Sequence, residues 1–281
     1  MLLNIIKSII FGIIEGITEW LPISSTGHLI LAESFIKFKN VSPDFWSVFE
    51  VVIQLGAILA VVVMYFKDIW PIKKEDSKLK FEKNILSLWG KIIVACIPAV
   101  IIVALKLDDY ADAHFYNAFS IALALIIVGI VFIIVENINA NKNKKARVDR
   151  IEDISYLDAF IIGIFQVIAA IFPGTSRSGA TIIGALMIGI SRTCSAKFTF
   201  YLAIPAMLGA SLLKIMKFGL GFSGAELLIL AIGTITAFVV SMYIIKFLMD
   251  YIKKHDFKVF GWYRIALGIL VLILSFTNVI K

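Results

Sequence analysis

The chain has 281 residues, of which 60% are hydrophobic and 17% charged, against about 25% charged in an average soluble domain. Its few polar residues are bunched between long apolar runs, which excludes a soluble globular enzyme, a disordered chain and the alternating strands of a membrane β-barrel. The net charge of +7 reads as the basic cytoplasmic loops of a polytopic helical membrane protein, and no nucleic-acid partner is expected.

Met1 to Trp20 is apolar, but Glu15 and Glu19 interrupt it and no small-residue cleavage site follows. It is therefore read as mature protein and not as a signal peptide. Region 2–32 as a whole reads as helix, polar break, helix. Its middle carries Glu15, Glu19, Pro22, Ser24, Ser25, Thr26, Gly27 and His28.

Three spanning segments follow at 48–66, 91–107 and 117–135. Region 158–190 repeats the broken pattern, with Gln166, Pro173, Gly174, Thr175, Ser176, Arg177, Ser178 and Gly179 at its break. Three more spans are expected at 198–213, 225–245 and 262–279. A polar break at membrane depth is tolerated only inside protein or beside a water-filled cavity, so both broken regions are expected to be re-entrant hairpins. Cys96 and Cys194 form no CxxC and read as small buried hydrophobes. Pro98 and Pro205 read as kinks.

Charge bias supports this count. Loop 67–91 holds seven Lys, and loops 142–150 and 246–264 hold five Lys or Arg each. Six spans and two hairpins put all three loops on the cytoplasmic side, joined by Arg192 and Lys197, with acidic segment 108–112 and both termini outside. An internal repeat at offset 151 aligns Gly12–Glu15 with Gly163–Gln166, Pro22 with Pro173, and Ser24-Ser25 with Thr175-Ser176. The expectation is one integral membrane domain over 1–281. Its halves, approximately 1–140 and 155–281, would have inverted topology and a site at their interface.

Glu15 and Glu19 lie four apart on one helix face. An ionised acid at a membrane helix centre costs about 2.5–3.5 kcal/mol, so this pair seeks a divalent cation, a basic partner or a proton, unless both acids snorkel to the headgroups. Ser24, Ser25, Thr26 and Gly27 precede an apolar run as a helix start does, and free N–H groups there bind phosphate. Plain capping without a ligand is the alternative.

His28 can act as nucleophile, acid or ligand, while His114 and His255 fall in expected loops. Gly174, Thr175, Ser176 and Ser178 form a second helix start around Arg177. That guanidinium needs a phosphate or, as a structural alternative, Glu15 or Glu19. Glu50 and Gln54 are candidates to line the cavity or to bond between helices. Acids, hydroxyls, an imidazole and a guanidinium at two helix starts make a phosphoryl-transfer set. Its apolar setting calls for a lipid substrate.

The segment from Gly12 through Glu15, Glu19, Pro22 and Ser24-Ser25-Thr26-Gly27-His28 resembles the first signature of the undecaprenyl-diphosphate phosphatase (bacitracin-resistance) family. Pro173-Gly-Thr-Ser-Arg-Ser-Gly179 resembles its second. Phe49–Gly56, Tyr201–Pro205 and Tyr263–Gly268 also look like family segments. The resemblance covers almost the whole chain and shows no departure at these positions.

It implies metal-dependent hydrolysis of undecaprenyl diphosphate to the monophosphate and phosphate in the bacterial plasma membrane, for cell-wall synthesis, with the site opening outward. It implies Mg²⁺ or Ca²⁺ at Glu15 and Glu19, with Ser25 or His28 as nucleophile. Arg177 and the N–H groups near Ser176 would stabilise the phosphoryl oxygens. A homodimer is compatible with it.

Two other readings compete. A PAP2-type phosphatase needs no metal but requires a second His after the Ser-Arg motif, and none occurs between Arg177 and His255. A polyprenyl phosphate transporter or flippase could use the same phosphate site without cleavage.

Overall fold

The computed structural model describes residues 1–75, 78–141, 145–219 and 221–277. Parts of the expected basic loops, at 76–77 and 142–144, lie outside the described residues, as do the side chains of Asp108, Asp109 and Asp112. The elements run α1 (Leu2–Thr18), α2 (Ser25–Phe35), α3 (Phe45–Met64), α4 (Phe66–Ile69), β1 (Ile72–Glu75), β2 (Lys78–Phe81), α5 (Lys83–Ala104), α6 (Leu107–Phe115) and α7 (Ala118–Asn141). After a 3-10 turn at Ile151–Asp153 come α8 (Tyr156–Ile171), α9 (Arg177–Met187), α10 (Arg192–Phe218), α11 (Gly224–Ile252) and α12 (Lys258–Phe276).

Six of these helices (α3, α5, α7, α10, α11 and α12) are long and apolar enough to cross a membrane. They coincide with the six expected spans, but several run further. Helix α5 starts at Lys83 rather than 91, and α10 starts at Arg192 behind the capping Ser191. Helix α11 continues to Ile252, so most of the expected loop 246–264 is helical. An apolar window sees only the part of a helix that lipid would cover. Lys, Arg, Leu and Met carry the backbone further because they are good helix formers. Pro98 and Pro205 lie inside α5 and α10.

The bundle is all-helical, and the one strand pair among the described residues lies in a loop outside it. Within the expected loop 67–91, β1 and β2 form an antiparallel two-stranded ribbon, with Ile72 opposite Phe81. Lys78-Leu79-Lys80-Phe81 alternates polar and apolar residues with the period of a strand.

Helix α8 opens with a capping box, in which Ser155 Oγ accepts from Asp158 N and Asp158 Oδ2 accepts from Ser155 N, each at 3.0 Å. Ser223 and Glu226 cap α11 in the same way. The short pairs α1–α2 and α8–α9 are each followed by three long helices. Each first short helix packs on a long helix from the other part of the chain: α1 on α11, and α8 on α5.

Glycine permits both approaches. A Cβ at Gly12 would stand 2.6 Å from the Gly233 carbonyl oxygen, and one at Gly163 would stand 2.3 Å from that of Ala95. Helix α7 packs on α12, and α3 packs on both α10 and α11.

The largest buried cluster joins Trp20 with Ile182, Phe198, Phe200, Tyr201 and Phe132, so it ties the first break to α7, α9 and α10. A second centres on Phe11, Phe45 and Phe49. Large apolar side chains such as Ile93, Val100, Ile127, Ile134 and Ile273 stay exposed along the long helices, as suits a chain whose outer solvent is hydrocarbon. Cys194 is buried and Cys96 half-buried, and both are free thiols.

Candidate active site at the two helix breaks

Helix α1 ends at Thr18 with Glu19 as its C-cap, and α2 begins after Ser24. Helix α8 ends at Ile171, and α9 begins after Ser176. Proline after the first helix and serine before the second explain each break. The two starts share an unusual geometry. Ser24 has φ 75° and Ser176 φ 71°, a left-handed conformation that costs a non-glycine residue about 1–3 kcal/mol.

Each serine hydroxyl accepts from the amide three residues on: Ser24 Oγ from Gly27 N at 3.3 Å, and Ser176 Oγ from Gly179 N at 3.1 Å. The caps therefore pair Ser24 with Ser176, not with Thr175 as the 151-residue offset aligns them. The second break holds one more residue between its proline and its cap. Arg177 then stands where Ser25 stands in the first start. The first N–H groups of α2 and α9 have no intrahelical acceptor, as at any helix start.

Glu19 is the hub. It is 6% exposed. Its Oε2 accepts from Ser25 Oγ at 2.7 Å, and its Oε1 accepts from Arg177 Nη2 at 2.8 Å. The Glu19 carbonyl accepts from Ser178 Oγ at 3.1 Å. Arg177 Nη1 also donates to the Thr199 carbonyl at 3.1 Å. Of the two structural partners expected for Arg177, Glu19 is the one observed.

Glu15 lies one turn earlier, 0% exposed, with neither carboxylate oxygen hydrogen-bonded. Glu19, Glu50 and Arg177 are the charges that act on it. Glu50 itself lies 3.3 Å from Lys214 Nζ. Gln166, which the repeat aligns with Glu15, also has a buried side-chain oxygen without a partner.

His28 sits half-buried on α2. Its Nδ1 is 2.7 Å from the Ser24 carbonyl oxygen and its Nε2 is 2.8 Å from Tyr263 Oη. Thr26 is half-buried on the same turn. Gly174 and Thr175 turn their carbonyl oxygens toward Arg264, whose Nη2 donates to them at 2.9 and 2.8 Å. Arg264 Nη1 donates to the Pro22 carbonyl at 3.1 Å. One guanidinium, 0% exposed, thus clamps both breaks together.

Sequence reasoning counted Arg264 among the charges of a basic loop. The structure corrects this, since the residue lies inside α12 and is buried. Lys91, counted in loop 67–91, is likewise buried on α5, donating to the Glu152 carbonyl at 2.8 Å. Tyr263 was also missed as a site residue. The available signal was an arginine inside a run judged apolar enough to cross a membrane, where a charge calls for a partner.

The residues fit a divalent cation. Glu15 offers two buried, unpartnered oxygens, and Glu19 lies one turn away on the same face. Among the described residues no cluster of three or more His, Cys, Asp or Glu occurs, so such a cation would complete its shell with substrate oxygens or water.

A family model described as "Bacitracin resistance protein BacA" matches residues 8–270. Proteins named undecaprenyl-diphosphatase are similar over nearly the full length. That of Desulfitobacterium hafniense is 58% identical over 272 residues, covering 97% of this chain and 96% of its own. One from Enterococcus faecalis is 57% identical over 274 residues, covering 97% and 98%. That of Streptococcus mutans is 52% identical over 281 residues, covering 99% and 98%.

Proposed function

The chain belongs to the bacitracin resistance protein BacA family, and from that premise we propose that it hydrolyses undecaprenyl diphosphate to undecaprenyl phosphate and inorganic phosphate. This would recycle the lipid carrier of cell-wall synthesis in the bacterial plasma membrane. The observation that carries the reading at residue level is the division of the Glu19 carboxylate between the Ser25 hydroxyl and the Arg177 guanidinium.

In this reading Ser25 is the nucleophile. Its Oγ attacks the terminal phosphorus as its proton passes to Glu19 Oε2, and the bond to the undecaprenyl phosphate oxygen breaks. Protonation neutralises Glu19 and loosens its hold on Arg177, whose guanidinium then neutralises the phosphoryl oxygens. The free N–H groups at the starts of α2 and α9 face the same charge, helped by the hydroxyls of Ser24, Thr26 and Ser176, while Ser178 holds the second start to the Glu19 carbonyl. Gly174, at φ 90°, lets the chain turn close to it, and Gly27 keeps the first turn of α2 free of a side chain.

Water next attacks the phosphoserine and gives one proton to His28 Nε2. Ser25 recovers its own proton from Glu19, phosphate leaves, and His28 returns its proton to solvent. Glu15 and Glu19 would hold Mg²⁺ or Ca²⁺, which when bound neutralises diphosphate charge.

The two short pairs are re-entrant hairpins of inverted halves, approximately 1–140 and 155–281, in one membrane domain with the site opening outward. The matched left-handed serine caps support this, as do the glycine contacts by which α1 and α8 each lean on the other half.

The test is phosphate release from undecaprenyl diphosphate by purified protein in detergent. Metal-dependent release that Ser25→Ala and Arg177→Ala both abolish is the expected result. Release unaffected by EDTA removes the metal from the reading, and full activity of Ser25→Ala moves the attack to His28. Lipid transport without phosphate release would establish the flippase instead.

A further inference from the structure

All three histidines make the same local bond. His28 Nδ1 faces the Ser24 carbonyl at 2.7 Å, His114 Nδ1 that of Tyr110 at 2.8 Å, and His255 Nδ1 that of Tyr251 at 3.2 Å. A carbonyl oxygen can only accept, so Nδ1 carries the proton in each, and in the neutral ring Nε2 keeps the lone pair. What distinguishes His28 is its second partner. Tyr263 Oη lies 2.8 Å from Nε2, 235 residues away in sequence, with the two ring planes parallel to within 2°. His114 and His255 have no such bond among the described residues.

We propose that Tyr263 is the positioning residue of His28. Its hydroxyl donates to the Nε2 lone pair while the ring is neutral. When a proton reaches Nε2, the same oxygen accepts from it. A hydroxyl is the simplest group that can hold one nitrogen in both protonation states without moving; an ammonium or guanidinium holds only the first, and a phenyl ring neither. Tyr263 is 45% exposed, so its oxygen can turn outward when a phosphate or water takes its place at Nε2. This role rests on the phosphatase reading for its purpose, but the capped nitrogen can be tested without any activity.

The first readout is carbethoxylation by diethylpyrocarbonate, which needs a free imidazole lone pair, followed residue by residue by mass spectrometry of the intact protein's peptides. His114 and His255 serve as internal references. The expected result is His28 labelled about tenfold more slowly than either reference, with Tyr263→Phe abolishing that protection. The second readout is kinetic. Tyr263→Phe should lower kcat about tenfold with KM within about twofold, because the interaction is used in the chemical steps. A His28 that labels as fast as His255 in the wild-type protein overturns the proposal. So does protection that survives in Tyr263→Phe, or a Tyr263→Phe enzyme with wild-type kcat. A wild-type protein that releases no phosphate but shows protected His28 overturns the phosphatase reading and leaves the capped nitrogen standing.

Discussion

Arg264→Ala is the substitution whose cost follows most directly from the structure. The side chain is fully buried and donates to three carbonyl oxygens, at Pro22, Gly174 and Thr175. Its loss leaves three buried acceptors without their donor, each worth about 1–3 kcal/mol, and opens a void of nearly a whole arginine. Set against this is the relief of no longer burying a charge that has no anionic partner, which offsets part of the roughly 3–9 kcal/mol that three lone acceptors would cost. The remainder is a large share of the roughly 5–15 kcal/mol that holds an average domain together.

Because the three carbonyls belong to the two breaks, the damage should be greatest at the site. Phosphate release should fall by at least about a hundredfold, and cleavage by a low dose of protease at 19–24 and 172–176 should rise before the long helices melt. Arg264→Lys keeps the charge and three donors but not the planar fork, and should lie between the two. An Arg264→Ala protein with wild-type turnover and wild-type protease resistance would refute the clamp.

Three further outcomes are expected. Glu19→Gln should lose at least about a hundredfold in kcat, since an amide cannot take the Ser25 proton, and phosphate release at saturating substrate measures it. Glu15→Gln should raise the melting temperature in metal-free detergent at alkaline pH, where a buried carboxyl with no hydrogen-bond partner must otherwise carry a charge; a fall in melting temperature there would show that the carboxylate is stabilised in a way the hydrogen bonds do not reveal. Gly163→Leu should destabilise the α5–α8 contact, where a Cβ already meets the Ala95 carbonyl oxygen at 2.3 Å. Its melting temperature should drop more than that of a leucine placed at Gly209, which has nothing within 4 Å.

How far the sequence carried depends on what each residue touches. The six spans were legible because hydrophobicity over some twenty residues is a bulk property. Their ends were not, since Lys83 and Arg192 extend helices for reasons of propensity and capping that no apolar window registers. Glu19 with Arg177 was legible as one of two pairings because opposite charges in an apolar setting must meet. Arg264 was not. Its partners are main-chain oxygens as far as 242 positions away, and a basic residue at the edge of an apolar run is easily absorbed into the cytoplasmic charge count. Tyr263 was hidden for a similar reason: no local pattern announces that a hydroxyl on α12 will face an imidazole on α2. The one-residue slip between Ser24 and Ser176 came from aligning residue types, whereas the backbone aligns caps.

The clamp also bears on how such a site can change. Arg264 grips only oxygens that every amino acid possesses, so it enforces the positions of the two loops without prescribing their side chains. Geometry and chemistry are thereby placed under separate control. A substitution at a loop tip can alter which headgroup is held, or how fast it reacts, while the frame that aims both helix starts stays put. A designer seeking a different lipid phosphate should leave position 264 alone and vary Thr26 and Thr175 around it.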